Sequence, residues 1–187
     1  MGVGNGTLER LATLKGCDVW CLDPSERAID RLRTELQLGE RAKVGFSQAM
    51  PFPDEHFDVV VMSEVLEHLD PDVFQTTLLE VRRVLRKGGR FIGTVPARER
   101  LEDSLVVCPQ CGCAFHRWGH KQKFDIASLS AALGRVFVVE CAEEHFFVPW
   151  AGVGLWKKVQ GLVKKFLSWR GIGTYGTCRN IYFSARK

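Results

Sequence analysis

A chain of 187 residues with 45% hydrophobic, 26% charged and 10% aromatic content has the apolar bulk for one buried core, which excludes a disordered, collagenous or low-complexity protein. No apolar run reaches the roughly 18 residues of a membrane span. The net charge of +4 is uneven: residues 151–187 hold eight basic side chains and no acidic one, a +8 tail on a −4 body. That pattern disfavours a general nucleic-acid binder and points to a local surface for phosphate, anionic lipid or an acidic partner.

In chain order, Leu8, Leu11 and Leu14 start a helical stripe, Asp18 to Leu22 reads as a strand, and Pro24 to Leu36 reads as a helix with Ile29, Leu32 and Leu36 on its apolar face. Ala42 to Phe46, Phe57 to Met62 and Arg90 to Val95 read as strands, with a helix over Val73 to Arg86 that ends at Gly88-Gly89. Alternating helix and strand predicts an α/β domain with a mostly parallel, doubly wound sheet. After Pro96 a Cys/His-rich insert (residues 104–124) interrupts the pattern. A helix from Asp125 to Leu133, a strand from Val136 to Glu140, an amphipathic helix over 153–169 and a last strand from Asn180 to Ala185 follow. The whole is expected to be a single domain. Seven cysteines without a secretory signal suit reduced thiols or metal ligands in a cytosolic protein. Met1-Gly2 opens like a myristoylation signal, but Gly6 stands where that motif needs Ser or Thr.

Gly2-Val3-Gly4-Asn5-Gly6 directly before a helical stripe makes a turn whose backbone amides can approach a ligand closely. Its third glycine falls one residue early for the dinucleotide fingerprint, so a nicotinamide cofactor is disfavoured. Asp23 closes the next strand, 17 residues after Gly6. A carboxylate at a strand's carboxyl end can accept hydrogen bonds from both hydroxyls of a ribose.

Together with Leu22-Asp23-Pro24-Ser25, Met50-Pro51-Phe52-Pro53-Asp54, Phe57-Asp58-Val59-Val60-Val61, Glu64-Val65-Leu66-Glu67-His68-Leu69 and Val81 to Arg90, these residues resemble the class I S-adenosylmethionine-dependent methyltransferases of type 11. The likeness is strong over residues 2–95 and loose beyond. It implies a Rossmann-like fold, with Gly2, Gly4 and Gly6 holding the methionine portion of S-adenosylmethionine and Asp23 its ribose. Two features depart from the family. Met1 stands where the family has an acidic residue ending a first, central strand, so the sequence reads as a truncated gene or a fragment. Phe46 stands where many relatives place an acid that reads adenine, leaving stacking and the backbone around Ser47 and Gln48 to hold the base.

Glu64-x-x-Glu67-His68 spaces two carboxylates and an imidazole for one face of a helical turn after a strand end. This resembles a divalent-metal site of relatives that methylate RNA ends or quinone precursors. Without a metal, His68 would serve as the base or orienter of the acceptor. Cys108, Cys111, His116 and His120 follow the C-x2-C-x4-H-x3-H spacing of a closed structural zinc site. A competing set takes Cys108, Cys111, Cys113 and His116 and frees His120 for the acceptor pocket. The reading is therefore a methyltransferase acting on a small or lipid-linked acceptor, cytoplasmic or peripheral to an anionic membrane through its basic C-terminal helix. The alternatives are an RNA-directed, metal-assisted methyltransferase and a non-catalytic zinc-dependent interaction module.

Overall fold

The computed structural model describes residues 1–146 and 179–187 and, of the segment between them, Val159, Leu162, Val163 and Phe166. Those four are helical with exposed side chains; the rest of the amphipathic helix expected over 153–169 lies outside the described residues. The elements run α1 (Thr7–Leu14), β1 (Cys21–Asp23), α2 (Glu26–Leu36), β2 (Ala42–Val44), β3 (Phe57–Ser63), α3 (Pro71–Val84), β4 (Leu85–Pro96), β5 (Leu105–Val107), β6 (Ala114–His116), α4 (Ile126–Gly134), β7 (Val138–Phe146) and β8 (Arg179–Arg186).

The helices begin where their caps dictate. The Ser25 hydroxyl accepts the Ala28 N–H at the start of α2, Pro71 sits in the first turn of α3, and Asp125 and Ser128 form a reciprocal capping box on α4. Ile29 and Leu32 of α2 are fully buried, as are Leu78, Val81 and Val84 of α3. The i, i+3 spacing thus sets which face each helix turns inward. On β8 the inward set is Ile181, Phe183 and Ala185, the two-residue alternation of a strand. A β-carbon at Gly93 would lie 2.0 Å from the Met62 carbonyl and 2.7 Å from the Phe183 ring, so only glycine lets β4 pass this close to its neighbours.

Parallel pairing runs through the first half (β1 with β2, β3 with β4), and antiparallel pairing through the second, where β8 lies between β4 and β7. The chain leaves α3 at Val84, two residues before the expected end, because Leu85 is fully buried and already pairs with Phe57. The Gly88-Gly89 pair consequently lies within β4, joined to Lys187 by backbone hydrogen bonds.

Among the described residues, the backbone between β1 and β3 is bridged by the first two: the Met1 amine donates to Val61 O (2.7 Å) and Gly2 N to Leu22 O (3.1 Å). Beneath them opens an apolar cavity of about 330 Å³ lined by Leu8, Ala12, Trp20, Leu22, Val60 and Phe57 among others. The Met1 ammonium is desolvated there, and burial lowers its pKa. The leucine stripe of α1 is helical as expected, but Leu8, Leu11 and Leu14 are exposed, with Leu8 at the rim of this cavity.

Candidate active site

A second cleft, of about 470 Å³, opens at the carboxyl ends of β1 and β3, the position where parallel α/β sheets bind ligands. Gly2, Asp23, Ser47 and Gln48 line one side, and Glu64, Val65, His68 and Lys121 the other. Gly2, Gly4 and Gly6 all adopt positive φ (+73°, +49° and +77°). A β-carbon would lie 2.5 Å from Val65 at Gly2 and 2.6 Å from Leu32 at Gly6, whereas Gly4 faces open space. The first and third glycines therefore let the turn fit against the protein, and the middle one leaves its outer surface clear. Asp23 is held by two backbone donors, Val3 N to Oδ2 (2.9 Å) and Ser25 N to Oδ1 (2.8 Å). Each oxygen keeps accepting capacity toward the cleft. Ser47 Oγ is 2.8 Å from Thr77 Oγ1, and the exposed Phe46 ring stands at the rim.

The acceptor-side triplet departs from expectation. Glu64, Glu67 and His68 do not share one helical face, because Glu64 takes a left-handed conformation (φ +55°) just ahead of a short 3₁₀ turn, Leu66–His68. Glu64 turns toward β4 and β8, where its Oε1 accepts from Thr94 Oγ1 (2.8 Å) and Asn180 Nδ2 (2.7 Å). Glu67 turns inward, is 1% exposed, and has hydrogen bonds to neither carboxylate oxygen. Burial, with Glu64 and Glu99 adding like charge, pushes its pKa up to about 8. Glu67 is therefore corrected from a cleft-facing catalytic carboxylate to a buried one. His68 stays at the cleft. Its Nδ1 lies 3.2 Å from Gly119 O, an atom that can only accept, so the unshared pair is on Nε2. Burial lowers the pKa of His68, which keeps the ring neutral near pH 7.

The expected zinc set is divided. Cys108, Cys111 and Cys113 sit at the tip of the β5–β6 hairpin, closed by Cys108 N to Cys113 O (2.9 Å), whereas His116 pairs with Leu105 at the other end of the same hairpin. Among the described residues, the groups able to hold a metal are Glu67 with His68 and His120, and Glu99 with His116 and His120; neither includes a cysteine. His116 also presents the wrong atom: its Nδ1 accepts backbone N–H groups from His120 (3.1 Å) and Trp118 (3.4 Å), so Nε2 carries the proton. Both the Cys108, Cys111, His116, His120 set and its Cys113 variant are corrected on this geometry. Glu99, Gly119, Thr94 and Asn180 have no motif around them and enter the site only through long-range packing.

The architecture is that of the S-adenosylmethionine-dependent methyltransferases. The whole chain overlays 89% of a SAM-dependent methyltransferase from Methanosarcina mazei with TM-score 0.70 at 18% identity, a likeness of fold. Residues 1–93 match, and belong to, the type 11 family described as a methyltransferase domain. Over 102 residues the chain is 36% identical to a fatty-acid O-methyltransferase of Mycolicibacterium smegmatis, covering 54% of this chain and 36% of that protein. It is 32% identical over 97 residues to a tRNA N(3)-cytidine methyltransferase of Mus musculus, covering 47% and 25%. The chain thus spans well under half the length of these curated relatives.

Proposed function

We propose that the chain binds S-adenosylmethionine across the glycine turn, Asp23, Ser47 and Gln48 and transfers its methyl group to a hydroxyl or carboxylate of a small or lipid-linked acceptor. The observation that carries this reading is that one cleft, of a volume suited to a cofactor and part of a substrate, joins Gly2 and Asp23 to Glu64 and His68. Asp23 accepts from the ribose hydroxyls, and the bare face at Gly4 admits the methionine portion. Methyl transfer is an in-line displacement: the acceptor oxygen forms a bond to the methyl carbon as the carbon–sulfur bond breaks, and the sulfonium becomes a neutral thioether. The cofactor supplies the driving force, and the protein supplies proximity and alignment. His68 presents the unshared pair of Nε2 at the acceptor end, and Glu64, tied to Thr94 and Asn180, fixes the wall beside it.

The lipid-linked acceptor is favoured by the +8 tail around an amphipathic segment, which brings the protein from the cytosol to an anionic surface, and by the similarity to a fatty-acid O-methyltransferase. The test is transfer of a labelled methyl group to a panel of fatty acids, prenylated phenols and a tRNA fraction, with and without anionic vesicles. Labelling of a lipid acceptor, lost when Lys157, Lys158, Lys164 and Lys165 are reversed to Glu, supports the reading. Labelling of tRNA alone overturns the acceptor class, and absence of S-adenosylmethionine binding overturns the reaction.

A further inference from the structure

We propose that Cys108 and Cys111 from two copies of the chain hold one zinc ion between them, so that the exposed tips of two β5–β6 hairpins join the copies into a symmetric dimer. Each copy brings half of a four-thiolate site, and no histidine takes part. The pair stands in Cys108-Pro109-Gln110-Cys111-Gly112, where Gly112 at φ +71° lets the backbone turn back on itself. Gly112 N donates to Cys108 O (2.9 Å) and Cys108 N to Cys113 O (2.9 Å). This tight turn brings the Cys108 thiol within hydrogen-bonding reach of the Cys111 sulfur. Tetrahedral zinc–sulfur bonds of about 2.3 Å place two sulfurs about 3.8 Å apart, a separation comparable with that contact.

The turn also favours the thiolate that a metal needs. The Cys113 N–H, with the thiols of Cys108 and Cys113 beside it, hydrogen-bonds the Cys111 sulfur and holds its pKa below the ordinary thiol range. The Cys108 thiol donates to Gln110 Oε1 (3.2 Å), an uncharged acceptor on an exposed side chain that an incoming ion displaces. Soft sulfur ligands select zinc over magnesium or calcium.

Two thiolates fill half of the four positions that protein ligands occupy in a closed zinc site. Among the described residues, no group of three or more close His, Cys, Asp or Glu donors includes a cysteine. His116 lies at the far end of the hairpin, opposite Leu105, with Nδ1 accepting from His120 and Trp118. The hairpin itself points to what supplies the second pair. Residues 109–115 are all exposed, and Leu105 to His116 includes no Asp, Glu, Lys or Arg in a chain that is 26% charged. Leu105 (52% exposed) and Val107 (64%) lie on one face of the hairpin and Phe115 (51%) on the other. An exposed apolar surface of this kind is one that another molecule covers, and two copies of it meet without like charges to hold them apart. A two-fold axis through the ion makes the contact self-complementary, since each tip supplies the ligands that the other lacks. β6 runs on to Gly119 and Lys121, which hold His68 and line the cleft, so the joint between copies and the acceptor side share one segment.

The inference is tested by sedimentation velocity on the full chain of 21.1 kDa, stripped of metal and kept under a reductant that excludes disulfides. Added zinc should double the mass with one ion bound per two chains, and a chelator should restore the monomer. Co2+ in place of zinc should give thiolate-to-metal charge-transfer absorption at the same stoichiometry. Cys108→Ser and Cys111→Ser each remove two of the four ligands and should abolish both the dimer and the absorption. Cys113→Ser keeps its backbone N–H, and it should retain both, as should His120→Gln. The three cysteines stand at the hairpin tip, away from the core, so metal-free melting curves of the serine variants should match wild type. Zinc bound without a change in mass overturns the proposal. So does a dimer that survives Cys108→Ser and Cys111→Ser, or a chain that shows no thiolate–cobalt absorption.

Discussion

The two sides of the cleft are built on different principles. The cofactor side is short-range: Gly2 to Gly6 and Asp23 are joined by hydrogen bonds spanning about 20 residues of chain, Val3 N to Asp23 and Gly2 N to Leu22 O. The acceptor side is long-range: His68 is set by Gly119, 51 residues away, and Glu64 by Asn180, 116 residues away. A site of the first kind can be carried by a contiguous motif and placed on many scaffolds. One of the second kind changes whenever the insert or the last strand changes, which is how a family can keep its cofactor and vary its acceptor.

The sharpest way to separate the sides is to stabilise one alone. An apolar five-residue strand fused ahead of Met1 would replace the desolvated ammonium with a peptide bond and fill the cavity between β1 and β3. Stability should rise by several kcal/mol. With roughly 2–4 °C in Tm for each kcal/mol in a chain of this size, thermal melts should shift upward by at least about 5 °C. S-adenosylmethionine should bind more tightly as Gly2 is fixed. A lower Tm would show that the cavity is not strand-shaped.

On the acceptor side the largest effect is a pH dependence. Burial raises the Glu67 pKa from 4.5 to about 8, so the folded state holds this proton more tightly than the unfolded chain does. Below about pH 4.5 this group is neutral in both states, and stability falls as pH rises from there toward 8. At about 1.36 kcal/mol per pH unit, the loss across that window approaches 4–5 kcal/mol. Glu67→Gln cannot ionise, so its unfolding free energy should lack that decline and exceed wild type at pH 8. Parallel pH profiles for the two proteins in urea melts would refute the assignment.

This contrast also explains what the sequence makes legible. The glycine turn, Asp23 and the cap residues Ser25, Pro71 and Asp125 act over two to four residues, or at one strand end, and can be read from spacing. The Glu64-x-x-Glu67-His68 spacing is visible too, but its geometry is not: a left-handed Glu64 and a three-residue 3₁₀ turn send the two carboxylates in opposite directions. Cys108 to His120 looks like one ligand set because the spacing fits. The β5–β6 hairpin nevertheless carries its thiols and imidazoles to opposite ends, and the antiparallel register that does so is set by pairing, not composition. Glu99 has no local signal at all, since its significance lies wholly in reaching His120.

A smaller effect belongs to the cofactor side. Asp23→Ala removes the proposed acceptor for the ribose and frees the N–H groups of Val3 and Ser25. Hydrogen bonds to a charged group are each worth about 1.5–3 kcal/mol, so S-adenosylmethionine Kd, read by calorimetry, should rise roughly 10- to 100-fold. An unchanged Kd would remove Asp23 from the site and with it the contrast between the two sides.

The smallest effect tests whether the acceptor side is separable at all. Asn180→Ala deletes one 2.7 Å hydrogen bond to Glu64 Oε1, which keeps its partner Thr94. Both Glu64 and this bond are solvent-accessible, so the loss falls below the usual range for a hydrogen bond to charge, at about 0.5–1.5 kcal/mol, or a fall of roughly 1–6 °C in Tm. Asn180 is on β8 and has no part in the glycine turn, so S-adenosylmethionine affinity should stay within twofold of wild type. KM for the acceptor should rise several-fold as the Glu64 wall loosens. If Asn180→Ala instead weakens cofactor binding as much as Asp23→Ala does, β8 supports both halves of the cleft, and the division between a portable cofactor side and a variable acceptor side does not hold for this protein.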